Sequence, residues 1–162
     1  MKKLLLSLSI IGLGIASCDK METIDVSAQK DLMDQTWQMT AQVTNANVTD
    51  TNFRYYDTYP QISACIKDNY YKFTGTNNVS LFDNTIKCIA SAPGQLDYYY
   101  VLNSQENFLR IFSNTEDPEN SVILQGEFKL VDINTFTVRT DTYNETSQQT
   151  KSVISTFSKV KN

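Results

Sequence analysis

Short segments in which apolar and polar residues alternate constrain the fold of this 162-residue chain more than any other feature. In the first segment the alternating apolar residues are Trp37, Met39, Ala41 and Val43. A period of two places every second side chain on one face, which is typical of a strand with one buried side. Comparable segments follow at residues 69–74, 78–82, 95–102, 107–112, 121–131, 135–142 and 150–159. The sequence therefore predicts eight strands.

The connections between these segments indicate how the strands pair. Turns at residues 75–77, 103–106 and 132–134 are short enough to form hairpins. Consecutive antiparallel strands tend to close on themselves because closure removes the unpaired edges, so we expect an all-β, eight-stranded antiparallel up-and-down barrel. An immunoglobulin-type sandwich stays the alternative, since the connections after Phe82, Phe112 and Thr142 are long enough for a Greek-key crossing.

The first eighteen residues have the pattern of an export signal. Lys2 and Lys3 precede an apolar run at residues 4–15, and Ala16-Ser17-Cys18 follows it. The pattern resembles bacterial lipoprotein signals, in which the cysteine is acylated, with palmitate for example, and becomes the mature N-terminus. The resemblance implies membrane contact through acyl groups on Cys18, in an outer-membrane lipoprotein of the bacterial cell envelope. We expect a signal at 1–17, a spacer at 18–30 and a barrel domain at 31–162, with a short helix at 27–34.

Two cysteines remain once Cys18 is assigned to lipid. An even pair in an exported protein predicts a disulfide between Cys65 and Cys88. A zinc site would lack ligands, because the chain has no histidine and no third thiol remains. The sequence accordingly predicts no metal and no cofactor.

Charge and composition narrow the classes of function. Loss of Lys2 and Lys3 leaves 12 basic and 18 acidic residues, hence a mature net charge of −6, which argues against a nucleic-acid partner. The absence of histidine excludes a Ser-His-Asp triad. A glycosidase-type acid pair would draw on Asp97, Glu127 and Asp132, but acids on alternating strands usually face water. We therefore expect no enzymatic activity.

Aromatic residues supply the candidates for ligand binding. Tyr98 and Tyr100 share one face of a strand, and the loop at residues 44–59 carries further tyrosines. These rings either line a pocket or fill the barrel, and the loop is either a lid or an anchor packed on the barrel end. The candidate interior and mouth residues are Trp37, Met39, Tyr55, Tyr56, Tyr71, Phe73, Tyr98 and Tyr100.

One further arrangement points to a family. A tryptophan follows a short helix, and later come Cys65-Ile66-Lys67-Asp68-Asn69, a strand containing Phe73, a turn with Gly75, and Cys88. This is similar to the lipocalin-like (calycin-like) domains of small bacterial lipoproteins, over residues 31–160. Gln35 stands where transport lipocalins have a glycine. The resemblance also implies a basic side chain over Trp37, with Lys159 as first candidate and Arg139 as second.

The leading hypothesis is thus a lipid-anchored envelope protein whose lipocalin-like barrel binds a small apolar or mixed-polarity ligand. The alternative is a solid-core module that binds another envelope or host protein through its loops; the sequence names no such protein partner.

Overall fold

The computed structural model describes residues 30–45, 54–103, 105, 107–146 and 148–160. A 3-10 turn at Tyr59–Gln61 and helix α1 (Ala64–Lys67) lie between the second and third strands. The strands are β1 (Thr36–Asn45), β2 (Tyr56–Asp57), β3 (Tyr70–Thr74), β4 (Asn78–Phe82), β5 (Gln95–Asn103), β6 (Phe108–Phe112), β7 (Val122–Asp132), β8 (Thr135–Asn144) and β9 (Gln149–Lys159).

Eight of these strands form a closed barrel. The order is β1-β3-β4-β5-β6-β7-β8-β9, every pairing is antiparallel, and β1 also pairs with β9. This confirms the predicted all-β barrel and its three hairpins, and the sandwich alternative is wrong. The additional strand β2 pairs with β1 at Val43 and Thr44, so the expectation of an unpaired loop over residues 44–59 is corrected there.

The alternation of strand direction gives the barrel two unlike ends. The closed end carries the short turns β3–β4, β5–β6 and β7–β8, together with the helical residues 30–32 that lead into β1. The open end carries the longer connections that precede β3, β5 and β7, together with the four-residue turn that precedes β9.

The segment before β1 packs on the closed end. Leu32 is fully buried, and its carbonyl accepts a hydrogen bond from Trp37 Nε1 at 3.1 Å. Met33 forms an isolated bridge with Phe73. Residues 30–32 are helical, as predicted, whereas the start of the predicted helix at 27–34 lies outside the described residues, as do the signal at 1–17 and Cys18.

Aromatic rings fill the closed end. Phe136 stacks on Phe157 with ring centroids 4.8 Å apart, and it meets Trp37 edge-on at 4.9 Å. Phe73 meets Tyr100 edge-on at the same separation of 4.9 Å. All five side chains are no more than 1% exposed. Edge-to-face and offset ring pairs of this kind add to the free energy gained from burial alone.

The first strand departs from the alternation predicted for it. β1 carries an extra residue, Thr40, between the pairs that Met39 and Ala41 form with β9. An extra residue moves the side chains that follow it to the opposite face. Gln42 consequently lies opposite a buried serine of β9, whereas Ala41 and Val43 are only half-buried. The expectation that Ala41 and Val43 continue the buried face of β1 is therefore wrong.

Only one of the two basic residues expected to cover Trp37 lies next to it. Lys159 lies directly opposite Trp37 in the pairing of β1 with β9, although no cation–π contact joins them in the described part of the chain. Arg139 instead donates from Nε to Asp141 Oδ1 and Ser152 Oγ, both at 3.0 Å. The second candidate for covering Trp37 is thereby excluded.

Gly126 of β7 is required by the close approach of β8. Its φ is +157°, and a Cβ atom built on it would lie 2.0 Å from the carbonyl oxygen of Arg139. No side chain fits at that distance, so the two strands can meet here only because residue 126 is glycine.

No helix within the described ranges is long and apolar enough to span a membrane.

Candidate functional site at the open end

The predicted binding residues divide according to the end of the barrel. Trp37, Phe73 and Tyr100 belong to the packed closed end, and the Tyr100 hydroxyl donates to the carbonyl of Gly75 at 3.1 Å. Their rings have neighbours on every side and their polar groups have partners within the chain. These three residues therefore pack the core, which was the alternative interpretation of the aromatic pattern.

Met39, Tyr71 and Tyr98 form the next layer toward the open end. Tyr71 is 9% exposed and meets Phe157 edge-on at 5.6 Å, while Tyr98 is half-buried against the same core. Tyr98 therefore shares the inward face with Tyr100, as the spacing predicted. In the described part of the chain, neither the Tyr71 nor the Tyr98 hydroxyl forms a hydrogen bond to the protein. Neither hydroxyl is among the buried atoms that lack a partner, so both are accessible to solvent.

The two phenol groups also influence each other. Burial, and secondarily the nearby Tyr98 phenol, raises the pKa of Tyr71 to about 12. Burial also raises the pKa of Tyr98, with a smaller contribution from the negative charge of Asp83. In both cases the surroundings disfavour the phenolate. The pair therefore presents neutral O–H groups near neutral pH, which can donate to an oxygen or nitrogen of a ligand.

Apolar and polar groups both occur in the part of the barrel toward the open end. Tyr59, Ile62 and Leu81 pack partly buried against the core, and the Tyr59 hydroxyl donates to the carbonyl of Met39 at 2.9 Å. Between the neighbouring strands β1 and β9, Gln42 Nε2 donates to the hydroxyl of a buried serine of β9 at 3.2 Å. The surroundings thus suit a molecule with an apolar body and a few polar atoms.

Tyr55 and Tyr56 are not part of this layer. They are 45% and 61% exposed, and Tyr56 pairs with Thr44 at the edge of β1. The hydrogen bond that Arg139 donates to Asp141 raises the pKa of Arg139 most, and the Tyr55 phenol adds a smaller contribution. Neither tyrosine is buried as an anchor, and residues 46–53 of the predicted lid lie outside the described residues.

A long connection at the open end is held by several independent contacts. Residues 83–94, called the clamped loop below, are joined to α1 by the disulfide Cys65–Cys88, which confirms the predicted pair. The Asp68 carboxylate accepts hydrogen bonds from the backbone N–H groups of Thr85 and Ile86 and from Asn84 Nδ2. The bond from Ile86 contributes most to a lowered pKa of Asp68. Asp68 belongs to the motif Cys65–Asn69 that carries the family resemblance, but the sequence did not predict that its carboxylate holds this loop.

The outer wall of the barrel carries two open grooves that sequence reasoning missed. One, of about 330 Å³, lies on β5 and β6 and is lined by Val101, Asn103, Phe108, Arg110, Phe112 and Pro118. The other, of about 240 Å³, shares Phe108 and extends across β7 and β8 to Arg139 and Asp141. Arg110 stacks on Phe108 and forms an ion pair with Glu119. Alternation places these side chains outside the barrel, where no pattern in a single strand distinguishes a groove from plain surface.

The three acids considered for catalysis do not form a common site. Asp97 accepts hydrogen bonds from Ser80 and Gln95 near the open end, and Asp132 lies in the β7–β8 turn at the closed end. Glu127 lies opposite Arg139 on the outer wall. All three side chains are exposed. No cluster of three potential metal ligands occurs within the described ranges.

No protein-family model matches this chain, and no curated protein matches it.

Proposed function

We propose that this protein is a lipid-tethered lipoprotein of the bacterial cell envelope, in the outer membrane, whose lipocalin-like barrel binds a small molecule at its open end. The anchor rests on the export signal and Cys18, with residues 18–30 as spacer. A disulfide at Cys65–Cys88 agrees with an oxidising compartment. The acyl groups are then the contact with the membrane.

The single observation that best supports the proposal of ligand binding is the pair formed by Tyr71 and Tyr98. The Tyr71 ring is buried, but its hydroxyl is not among the buried atoms that lack a partner, so this hydroxyl reaches the solvent. Within the described part of the chain it has no protein partner, so a water molecule or a ligand has to take that role. An acceptor atom of a bound molecule would supply that partner. The packed rings below Tyr71 limit how deeply the molecule can enter.

The surroundings define the class of ligand. Two phenols that donate call for an acceptor such as a carbonyl, ether or ester oxygen. The neighbouring Met39, Ile62 and Leu81 call for an apolar body. An anionic ligand is disfavoured, because Asp83 lies close to Tyr98 and other acids line the open end. The proposed ligand is therefore neutral, partly apolar, and rich in acceptors.

A thermal-shift screen tests this proposal. Mature protein with Cys18→Ser would be melted with neutral lipids, quinones, esters and ethers, and a ligand should raise the melting temperature saturably. Tyr71→Phe and Tyr98→Phe should each weaken that response, while Tyr143→Phe, which alters a tyrosine 60% exposed and remote from the pair, should preserve it. Absence of any shift, or equal shifts in all three variants, would remove the ligand proposal.

The outer-wall grooves favour a second candidate, a binding module for another protein. Val101 is 51% exposed beside the groove that contains Phe108 and Arg110. Aromatic and arginine side chains are enriched at protein interfaces. Crosslinking in intact envelopes would test it: Val101→Glu should abolish a specific crosslinked product, whereas Ile123→Glu, a β7 residue 45% exposed and outside both grooves, should retain it.

A further inference from the structure

We propose that the closed end of the barrel lies against the membrane and that the open end points away from it. This orientation rests on the proposed acyl anchor at Cys18. Three observations support the orientation: the position where the chain enters the barrel, the exposed side chains at that end, and the unequal distribution of charge between the two ends.

The chain enters the barrel at the closed end. Leu32 is buried beside Trp37 and Met33 pairs with Phe73, which fixes residues 30–33 there. Residues 19–29 are 11 in number and span at most about 37 Å when extended. Strands of 10–11 residues with the usual tilt give a barrel about 28 Å high. If the closed end faces the membrane, residues 19–29 are therefore more than long enough to connect Cys18 to the barrel. If the open end faced the membrane, these residues would have to run almost fully extended along the whole outer wall.

The closed end presents apolar side chains and lysines together. Ile133 at the β7–β8 turn is 71% exposed and Val131 beside it is 54% exposed. Asp132 accepts a hydrogen bond from the backbone N–H of Asn134 at 2.7 Å, which fixes the shape of this turn. Apolar side chains next to lysines are suited to the boundary between lipid headgroups and acyl chains. The described lysines nearest this end are Lys30, Lys72, Lys129 and Lys159.

The two ends carry unequal balances of charge. At the closed end the described acids, which are Asp31, Asp34, Glu127 and Asp132, equal the four lysines in number. At the open end nine described acids outnumber six basic residues, and an anionic lipid surface would repel such an end within about 10 Å. The six basic residues are Arg54, Lys67, Lys87 and Lys151, together with Arg110 and Arg139, which form ion pairs with two of the acids. The described open-end acids are Asp57, Asp68, Asp83, Asp97, Glu116, Asp117, Glu119, Asp141 and Glu145.

This orientation determines from which side a ligand can reach the tyrosine pair. The Tyr71–Tyr98 pair and the exposed isoleucines of the open end, Ile66, Ile86 and Ile89, would face the surrounding compartment. A ligand would then arrive from that compartment or from a second protein, and not directly from the bilayer that holds the anchor.

Depth-dependent fluorescence quenching tests the orientation. Acylated full-length protein would be reconstituted in vesicles of phosphatidylcholine and phosphatidylglycerol, with a fluorescent amino acid at position 133 or, as the matched control, at position 89. Both positions are exposed isoleucines on turns or loops, at opposite ends of the barrel. Lipids with a quencher near the headgroup should quench the probe at 133 about threefold more than the probe at 89.

The possible results distinguish a failure of the proposed orientation from a failure of the proposed acyl anchor. A mass spectrum in which Cys18 carries no acyl group overturns the anchor and this proposal together. Acylated protein with stronger quenching at 89, or with equal quenching at both positions, overturns the orientation alone. Val131→Ser with Lys129→Ser should lower quenching at 133 in acylated protein, and unchanged quenching would also contradict the proposal.

Discussion

The closed end and the open end of this barrel belong to the same eight strands but are held together by different interactions. At the closed end, Trp37, Phe73 and Phe136 contact one another or further rings, with less than 2% of each side chain exposed. At the open end, a disulfide, a carboxylate and scattered hydrogen bonds hold long polar connections. Short turns let the strands converge on a dry core, whereas long connections need specific clamps because they bury little apolar surface.

The difference indicates which end can vary in function. A packed aromatic core tolerates few substitutions, since any lost volume leaves a cavity. The open end keeps its shape through contacts that do not depend on filling the barrel. Phenols such as those of Tyr71 and Tyr98, which have no protein partner among the described residues, can therefore be accommodated there.

The largest expected effect is at the closed end. Phe136→Ala should lower the free energy of unfolding by about 3–5 kcal/mol, because it removes a ring that contacts Trp37, Phe128 and Phe157. Ile89→Ala at the open end, where the side chain is 63% exposed, should change it by less than about 0.5 kcal/mol. Urea unfolding followed by tryptophan fluorescence measures both, and similar losses would contradict the contrast between the two ends.

The disulfide should have the next largest effect. Cys65→Ser with Cys88→Ser should lower the free energy of unfolding by about 2–4 kcal/mol, since the bond closes a loop with a sequence separation of 23 residues. Hydrogen exchange should accelerate in the clamped loop and remain slow in β1 and β9. Acceleration that is equal at the closed end would show that the two ends are not independent.

Acid should loosen the open end first. The pKa of Asp68 lies below its ordinary value because its carboxylate accepts hydrogen bonds from the N–H groups of Ile86 and Thr85. The contribution of Asp68 to the stability of the folded protein is therefore present above about pH 4 and is lost as the pH falls through the lowered pKa. Asp68→Asn should reduce the melting temperature at pH 7, and the difference from the parent should vanish toward pH 2. Asp132→Asn at the closed end is the control, and a difference that persists at pH 2 would refute the electrostatic explanation.

The smallest effect is expected at Tyr71. Folded protein holds this phenol neutral up to about pH 12, whereas the unfolded chain ionises near pH 10. The contribution of Tyr71 to the stability of the folded protein is therefore complete below pH 10 and is lost as the pH rises toward 12. Tyr71→Phe should leave the melting temperature nearly unchanged at pH 7, where no hydrogen bond is lost, and should flatten its decline between pH 10 and pH 12. A large loss at pH 7 would mean that the hydroxyl has a structural partner.

The strands and hairpins were predictable because their signals are local. A residue's face in a strand depends on its parity, and Gly75 marks a tight turn by its freedom at a φ of +62°. Thr40 gave no such signal, because a bulge is defined by what the partner strand does. The two-residue strand β2 is too short to alternate, so its pairing with β1 was missed.

The candidate site was predicted in part. Met39, Tyr71 and Tyr98 are near one another, as proposed, since the barrel and the parity of each strand place them on the inner face. The same parity also selected Trp37, Phe73 and Tyr100, because the pattern specifies the face of a strand and not the depth along the barrel. Depth depends on register and on which end closes, and it decided which tyrosines have partners.

The sequence by itself determined the number of main strands, their antiparallel order and the pairing of Cys65 with Cys88. These follow from alternation, turn length and cysteine count, each of which involves residues close in the chain or few in number. Only the tertiary structure decided between a barrel closed by β1 and β9 and a sandwich, and only it showed that Asp68 holds the clamped loop. It also showed that, within the described residues, the Tyr71 and Tyr98 hydroxyls have no protein partner while that of Tyr100 has one. Those outcomes depend on contacts between distant segments, whose distances no local pattern encodes.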